Sequence, residues 1–300
     1  MLNTIAFETW KRASRNLISI YQLRLNKVLR QQAKHLVFIN DSHYEIETIN
    51  HNKDLYDLLK MRRNLEQSNN KLRIGLSEFA FTDDYDVNAD HIVIRDTKTK
   101  SIIGGFRLLS SFHTKKFFNE SIFKLDPIKS KYSNILELSR LFVLPEHKHK
   151  DLMSLAARFL SQYTLEAKTD VIISNQSINS GASRSAALVN QYFTTVGLHN
   201  PYFQCSLQSS HDIPNYQHWT TYYKNGLNDS ELIESASLLP SVFKDSLNIG
   251  VTIAAPPGFD RTTNRIDFLT ILHKEDLNRS LWKKSFSHFE LSCASSYSSP

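Results

Sequence analysis

Apolar residues in the first tenth of the chain recur at helical spacing. Trp10, Leu17, Tyr21, Leu25, Val28 and Leu36 follow in steps of three, four, seven and eight residues, one or two helical turns each, which predicts one long helix over 5–36. Leu55, Leu58 and Leu59 predict a second over 53–66. A polar stretch, 67–88, ends in Asp83, Asp84 and Asp86 and reads as a loop. The period then changes. HIVIRD (91–96), the polar turn TKTK (97–100) and SIIGGFRLL (101–109) predict a β-hairpin. Gly104-Gly105 inside its second strand marks a bulge or a close backbone approach. ILELSRLFVL (135–144) is a strand closed by Pro145. A helix over 152–167 follows, with Asp151 placed to cap it, then a short buried strand at 171–174 and a helix over 182–197 stopped by Gly197. The segments 238–250, 251–259 and 266–272 complete the series, and the serine-rich tail from Ser292 reads as disordered. Strands and helices mix after an antiparallel start, so the fold class is α+β, or mixed α/β, around a central sheet.

Composition narrows the function classes. At 300 residues, 41% hydrophobic and 22% charged, the chain can bury a core. No apolar run is long enough to cross a membrane, and the first residues lack the pattern of a signal peptide. Two cysteines give no disulfide framework, which leads to the expectation of a cytoplasmic protein. The net charge of +6 suits an acidic partner. Nucleic acid is not expected, since no recognition motif is present. The 5–36 segment carries Lys11, Arg12, Arg15, Arg24, Lys27, Arg30 and Lys34 against one acid, Glu8. That face suits an acidic protein or peripheral contact with an inner membrane, or it is a solvated face of a helix packed on the body.

Several residues could carry chemistry. Glu137 and Arg140 stand three apart on one apolar strand, and on a regular strand they face opposite ways unless a bulge intervenes. Glu137 is a candidate base or amine-positioning group, or half of a structural ion pair. Asp83 and Asp86 could hold an ammonium group, or form a solvated turn. Arg107, at a strand end, could hold a carboxylate or brace Asp86 or Glu137. His147, Lys148, His149 and Lys150 form a basic loop before a helix N-terminus, a place that attracts phosphate, or an ordinary exposed loop. No spacing of histidines and cysteines suggests a metal site.

The ordered series DDYDVNADHIVIRDTKTKSIIGGFRLL, FFNESIFKLDPI and ILELSRLFVLPEHKHKDLMSLAARFLSQYT resembles the hemolysin-like N-acyltransferases of the GNAT superfamily. These include the enzymes of lyso-ornithine lipid synthesis and the long-chain N-acyl amino acid synthases. The resemblance extends more distantly to the acyl-homoserine lactone synthases, continues to LLPSVFKDSLNIGVTIAAPPGFDRTTNRIDFLTIL, and covers roughly 55–285. It implies a mostly antiparallel sheet, flanked by helices, that splays open to hold an acyl thioester. It divides the chain into a basic helical extension (1–50), the acyltransferase domain (51–290) and the tail (291–300).

What it implies for the site is specific. Glu137, Asp86 and Arg107 become catalytic candidates. Asp83, Arg62 and Arg63 become acceptor-binding candidates. Arg140, Val143, Lys148, His149 and Lys150 become candidates for the phosphopantetheine arm of an acyl carrier protein. The Gly-rich pyrophosphate loop of acetyl-CoA users is absent, which favours the carrier protein, and no further cofactor is expected. Asn175 and Ser177 could line the acyl tunnel, while Tyr192 reads as core. The Phe-rich segment that follows the first helix in these families is replaced by NLEQSNNKLRIG. The implied activity is N-acylation of an amino acid such as ornithine. ELSRLFV looks closer to the lactone synthases, so the alternative is acyl-homoserine lactone synthesis from S-adenosylmethionine. A non-enzymatic basic binding module is the remaining reading.

Overall fold

The computed structural model describes residues 19–69, 82–144, 146–147 and 149–277, without the side chains of 66–69 and 149–151. It is a mixed α/β structure with a mostly antiparallel sheet. The chain divides into two compact units, Met1–Leu109 with Arg140–His147, and Ser110–Ser139 with Lys148–Pro300. Among the described residues no helix is long and apolar enough to cross a membrane.

The first unit holds helix α1 (19–29), strands β1 (Phe38–Asn40) and β2 (Tyr44–Thr48), helix α2 (Asn52–Asn69), and strands β3 (Asp90–Asp96) and β4 (Ile102–Ser110). β1 to β4 pair in chain order, each pair antiparallel. The predicted hairpin is present, and its register slips between Ile94 and Arg95. Gly104 and Gly105 are demanded by close approach. A Cβ on Gly104 would lie 2.6 Å from the Phe142 carbonyl oxygen; one on Gly105 would lie 2.5 Å from that of Ile92 and 2.6 Å from the Leu58 side chain. α1 and α2 bury their apolar faces together, with Leu25, Val28, Leu55, Leu58 and Leu59 packed against Val93.

The 5–36 helix is corrected. Its described part stops at 29, and Leu36, read as the last apolar position of that helix, is 66% exposed. The chain turns because the amides of Lys34 and His35 bind the Asp90 carboxylate at 2.9 and 3.1 Å, which helical geometry would forbid. Residues 1–18, with Trp10 and the most N-terminal basic positions, lie outside the described residues, as do Cys293 and the tail from Ser292.

The second unit contains β5 (Phe123–Lys124), α3 (Asp126–Lys131), the first part of β6 (Ile135–Val143), α4 (His149–Glu166), β7 (Val171–Ile178), α5 (Ser183–Thr195) and β8 (Ser206–Leu207). After these come α6 (Tyr216–Tyr223), α7 (Asp229–Leu238), α8 (Ser241–Asn248), β9 (Thr252–Ile253), β10 (Gly258–Asp260) and β11 (Arg265–His273). β6 and β7 run parallel in a register of four pairs, Ile135–Leu138 against Val171–Ser174. β7 pairs antiparallel with β11 along its whole length, and β11 carries β9 and β10. The core is aromatic: Phe193, Phe243 and Phe268 pack with Ile178, Val189 and Ile266, and Tyr192 flanks them, as read from the sequence. Cys205 is buried here, its amide bonded to the Ala254 carbonyl at 2.7 Å, and burial pushes its thiol up to about 11.

Candidate active site

A short segment builds the acidic side of the site. After Thr82 the chain makes one helical turn, Asp86–Asn88, and enters β3. The amides of Tyr85 and Asp86 donate to the Asp83 carboxylate at 3.0 and 3.1 Å, and the Asp83 amide donates to Asp86 at 2.8 Å. The two carboxylates therefore orient each other's backbone, as Asp side chains do in turns.

Three arginines from three elements converge on this turn. Arg62 of α2 grips Asp86 with both terminal nitrogens, at 3.0 and 2.7 Å. Arg107 of β4 bridges the acids, 2.5 Å from Asp83 and 2.9 Å from Asp86, beneath the Tyr85 ring. Arg140 of β6 reaches Asp83 at 2.8 Å. Arg63, one position along α2, is half-buried, and Arg62 supplies a bidentate grip on Asp86. Arg140 sits at φ 57°, left-handed for a non-glycine residue in mid-strand. That conformation breaks the two-residue alternation of side chains at Arg140.

The acids differ in access. The Asp86 side chain is 0% exposed, that of Asp83 is 25%, and that of Arg140 is 28%. Burial raises the affinity of both acids for protons, and for Asp83 so does the Asp86 charge. The guanidiniums outweigh these effects, holding Asp83 below, and Asp86 well below, the ordinary carboxylate range. His91, buried beside them on β3, is lowered to about 4 by burial and by the Arg62 and Arg107 charges, against the pull of Asp86. It is neutral at pH 7. Its Nε2 lies 3.2 Å from the Asp86 carbonyl oxygen, so that nitrogen carries the proton.

Glu137, on the part of β6 in the second unit, is fully buried. Its carboxylate accepts from the Phe118 amide at 3.1 Å, the Asn119 amide at 2.9 Å and the Asn119 side-chain amide at 3.0 Å. It thus anchors the turn Phe118–Ser121, a partnership with no sequence signal. Val143 is partly exposed at the end of β6. α4 begins at His149, so Asp151 lies in its first turn rather than at its cap. The side chains of His149 and Lys150 and the whole of Lys148 lie outside the described residues. On β7 and β11, Ser177 donates to Asp267 at 2.5 Å, and burial raises Asp267 to about 6 against hydrogen bonds from Ser177 and Asn175. Among the described residues no group of three metal-ligating side chains occurs.

The structure thus brings together Arg62, Asp83, Asp86, Arg107 and Arg140 from the sequence-derived set and adds His91 and Gln31, which that set lacked. Gln31 donates to the Asp86 carbonyl at 2.9 Å.

Residues 61–158 match the family described as Acetyltransferase (GNAT) domain. No curated protein matches the chain in sequence. Among solved structures it is similar to the AHL synthase LasI, at 13% identity and a TM-score of 0.46, over 81% of this chain and 96% of that one. It is also similar to FeeM, an N-acyl amino acid synthase from uncultured soil microbes, at 10% identity and a TM-score of 0.40, over 82% and 96% of the two chains. FdhC, a nucleotide-linked sugar GNAT, is similar at 10% identity and a TM-score of 0.40, over 83% and 97%.

Proposed function

We propose, from the premise of a GNAT acetyltransferase domain over residues 61–158, that this chain moves a fatty acyl group from the phosphopantetheine thioester of an acyl carrier protein to the amine of an amino acid such as ornithine. The observation that carries this reading is the partly open Asp83–Arg140 pair seated on the buried Asp86–Arg62–Arg107 base. An amino acid presents an ammonium and a carboxylate side by side. Asp83 matches the first and Arg140 the second, and the buried ions keep both in place.

The chemistry needs little more than positioning. The amine, once neutral, attacks the thioester carbonyl carbon; a C–N bond forms, the C–S bond breaks, and the thiol leaves with the proton the amine gives up. No enzyme nucleophile is required, because the thioester is already activated. Holding amine and carbonyl in line supplies most of the acceleration. We assign Glu137 the role of proton acceptor, its carboxylate oriented by the Phe118 and Asn119 donors. The cationic stretch His147–Lys150 at the start of α4 is assigned to the single phosphodiester of the carrier protein's arm.

The test uses purified protein, carrier protein charged with a 3-hydroxyacyl chain, and competing amines, read by mass spectrometry. An N-acyl amino acid is the expected product. Consumption of S-adenosylmethionine with release of an acyl-homoserine lactone would replace the acceptor assignment. No thioester consumed with any amine, or with coenzyme A thioesters in its place, would favour a binding protein. Glu137→Gln should lower turnover at least a hundredfold, a typical span for loss of a general base, with the circular dichroism spectrum unchanged. Near-normal turnover would leave Glu137 as the anchor of its turn alone.

A further inference from the structure

The turn that carries Asp83 and Asp86 is one helical turn long. A longer helix would satisfy the Asp86 carbonyl with the amide of residue 90, but the chain has already entered β3 there. That carbonyl therefore needs donors from elsewhere. It has two, one for each lone pair: the Gln31 side-chain amide at 2.9 Å, from 55 residues earlier, and His91 Nε2 at 3.2 Å. Lys34 Nζ donates to Gln31 Oε1 at 2.9 Å, which fixes the way the Gln31 amide faces. Two residues past the turn, the buried Asp90 carboxylate accepts the backbone amides of Lys34 and His35. On the other side, Arg24 of α1 donates to the Thr82 carbonyl at 3.2 Å and pairs with Asp84 at 2.6 Å. Both ends of the turn, and its middle, are thus held by residues 24–35 and by one histidine.

We propose that Gln31 and His91 are positioning residues for the acceptor. They lock the Asp86 carbonyl, and through it the turn, so that the Asp83 carboxylate is presented at one place. This rests on the acyltransfer reading, in which Asp83 receives the ammonium group. It gives the segment before β1 a task inside the enzyme: a strap over the acidic turn.

The test compares Gln31→Met, His91→Leu and His91→Gln in the full chain. Methionine matches glutamine in length and removes its donor; glutamine at 91 keeps a donor near the Nε2 position. Two quantities are measured: hydrogen exchange of the peptide spanning 82–90, and steady-state kinetics with acceptor and acyl donor varied separately. Gln31→Met and His91→Leu should speed exchange in that peptide. They should also raise the acceptor KM about fivefold, the factor that one ordinary hydrogen bond corresponds to, with kcat and the donor KM unchanged. His91→Gln should stay near wild type in both. Where His91→Leu fails to fold, Gln31→Met, at a partly exposed position, decides. Unchanged exchange would show that the strap does not hold the turn. Faster exchange with an unmoved acceptor KM in an active enzyme would make the strap purely structural. A wild-type chain that acylates no amine would sink the acyltransfer reading, and the acceptor role of the strap with it, whatever the exchange shows.

Discussion

Asp83 and Asp86 carry the same charge three residues of chain apart, and their surroundings give them different work. Asp86 has no contact with solvent and is committed to Arg62 and Arg107. Asp86→Asn leaves two buried guanidiniums short of a partner, and the expected loss is about 3–5 kcal/mol of stability, read from urea unfolding. Asp83→Asn, at a more open position, should cost less stability and act chiefly on the acceptor KM. Protons distinguish these acids further. A carboxylate held below its unfolded pKa contributes stability that is complete above about pH 4 and lost as the pH falls through its folded value. His91 acts in the same direction in a higher window. Its folded value of about 4 lies under the ordinary 6.5, so the unfolded chain binds a proton first as pH falls from 6.5 to 4. Stability should drop across that window by up to about 1.4 kcal/mol per pH unit for this one proton. His91→Gln should flatten that part of the curve; an unchanged slope would show that other groups produce it. Arg107 and Arg140 were legible as charges on apolar strands, whereas Asp83 and Asp86, in a polar loop, and Arg62, on a helix, stood out through the family resemblance. Gln31 and His91 did not, since their partner is a backbone carbonyl orphaned only by the length of a helix.

Elements with strong periodicity were readable to within a few residues. β3, β4 and β6 follow their β-branched runs, and α5 ends before Gly197, which sits at φ 70° as a helix stop requires. β2 alternates buried and partly exposed along YEIET, a signal masked by assigning all of 1–50 to a helical extension. β5 and β8, two residues each, exist only through each other and leave no local trace. The glycine pair in β4 offered a choice between bulge and close approach, and the close contacts fall on the glycines while the register slip falls beside them. Gly105→Ala should therefore cost about 1–3 kcal/mol, the usual range for overpacking, measured as a lower urea midpoint. A neutral result would mean that β3 and α2 shift to make room. Asp267 tests another element. Burial lifts it to about 6, so its ionised form is disfavoured in the folded state. The folded chain takes up this proton before the unfolded one, and the resulting penalty is present above pH 6 and relieved as the pH falls toward 4. Asp267→Asn should raise the unfolding midpoint at pH 8 and change it little at pH 4.

For the molecule as a whole, the net charge of +6 would attract the proposed acidic carrier protein at long range, and salt screens such attraction over about 10 Å at 0.1 M. Reversing Lys148 and Lys150 to Glu should raise the KM for the charged carrier and flatten its dependence on salt, with the acceptor KM unmoved. An unchanged carrier KM would place the docking face elsewhere. The fold class was accessible from pattern alone, whereas the division into two units was not, because it cuts β6 between Ser139 and Arg140, in the middle of what the sequence reads as one strand. Cys205 lies deep in the second of these units with its thiol held near 11. At pH 8 only about one molecule in a thousand carries the reactive thiolate there, and no reagent can reach it. Alkylation of that sulfur thereby becomes a stopwatch: the rate at which a maleimide marks the peptide containing it counts how often the segment bonded to Ala254 opens and bares the thiol.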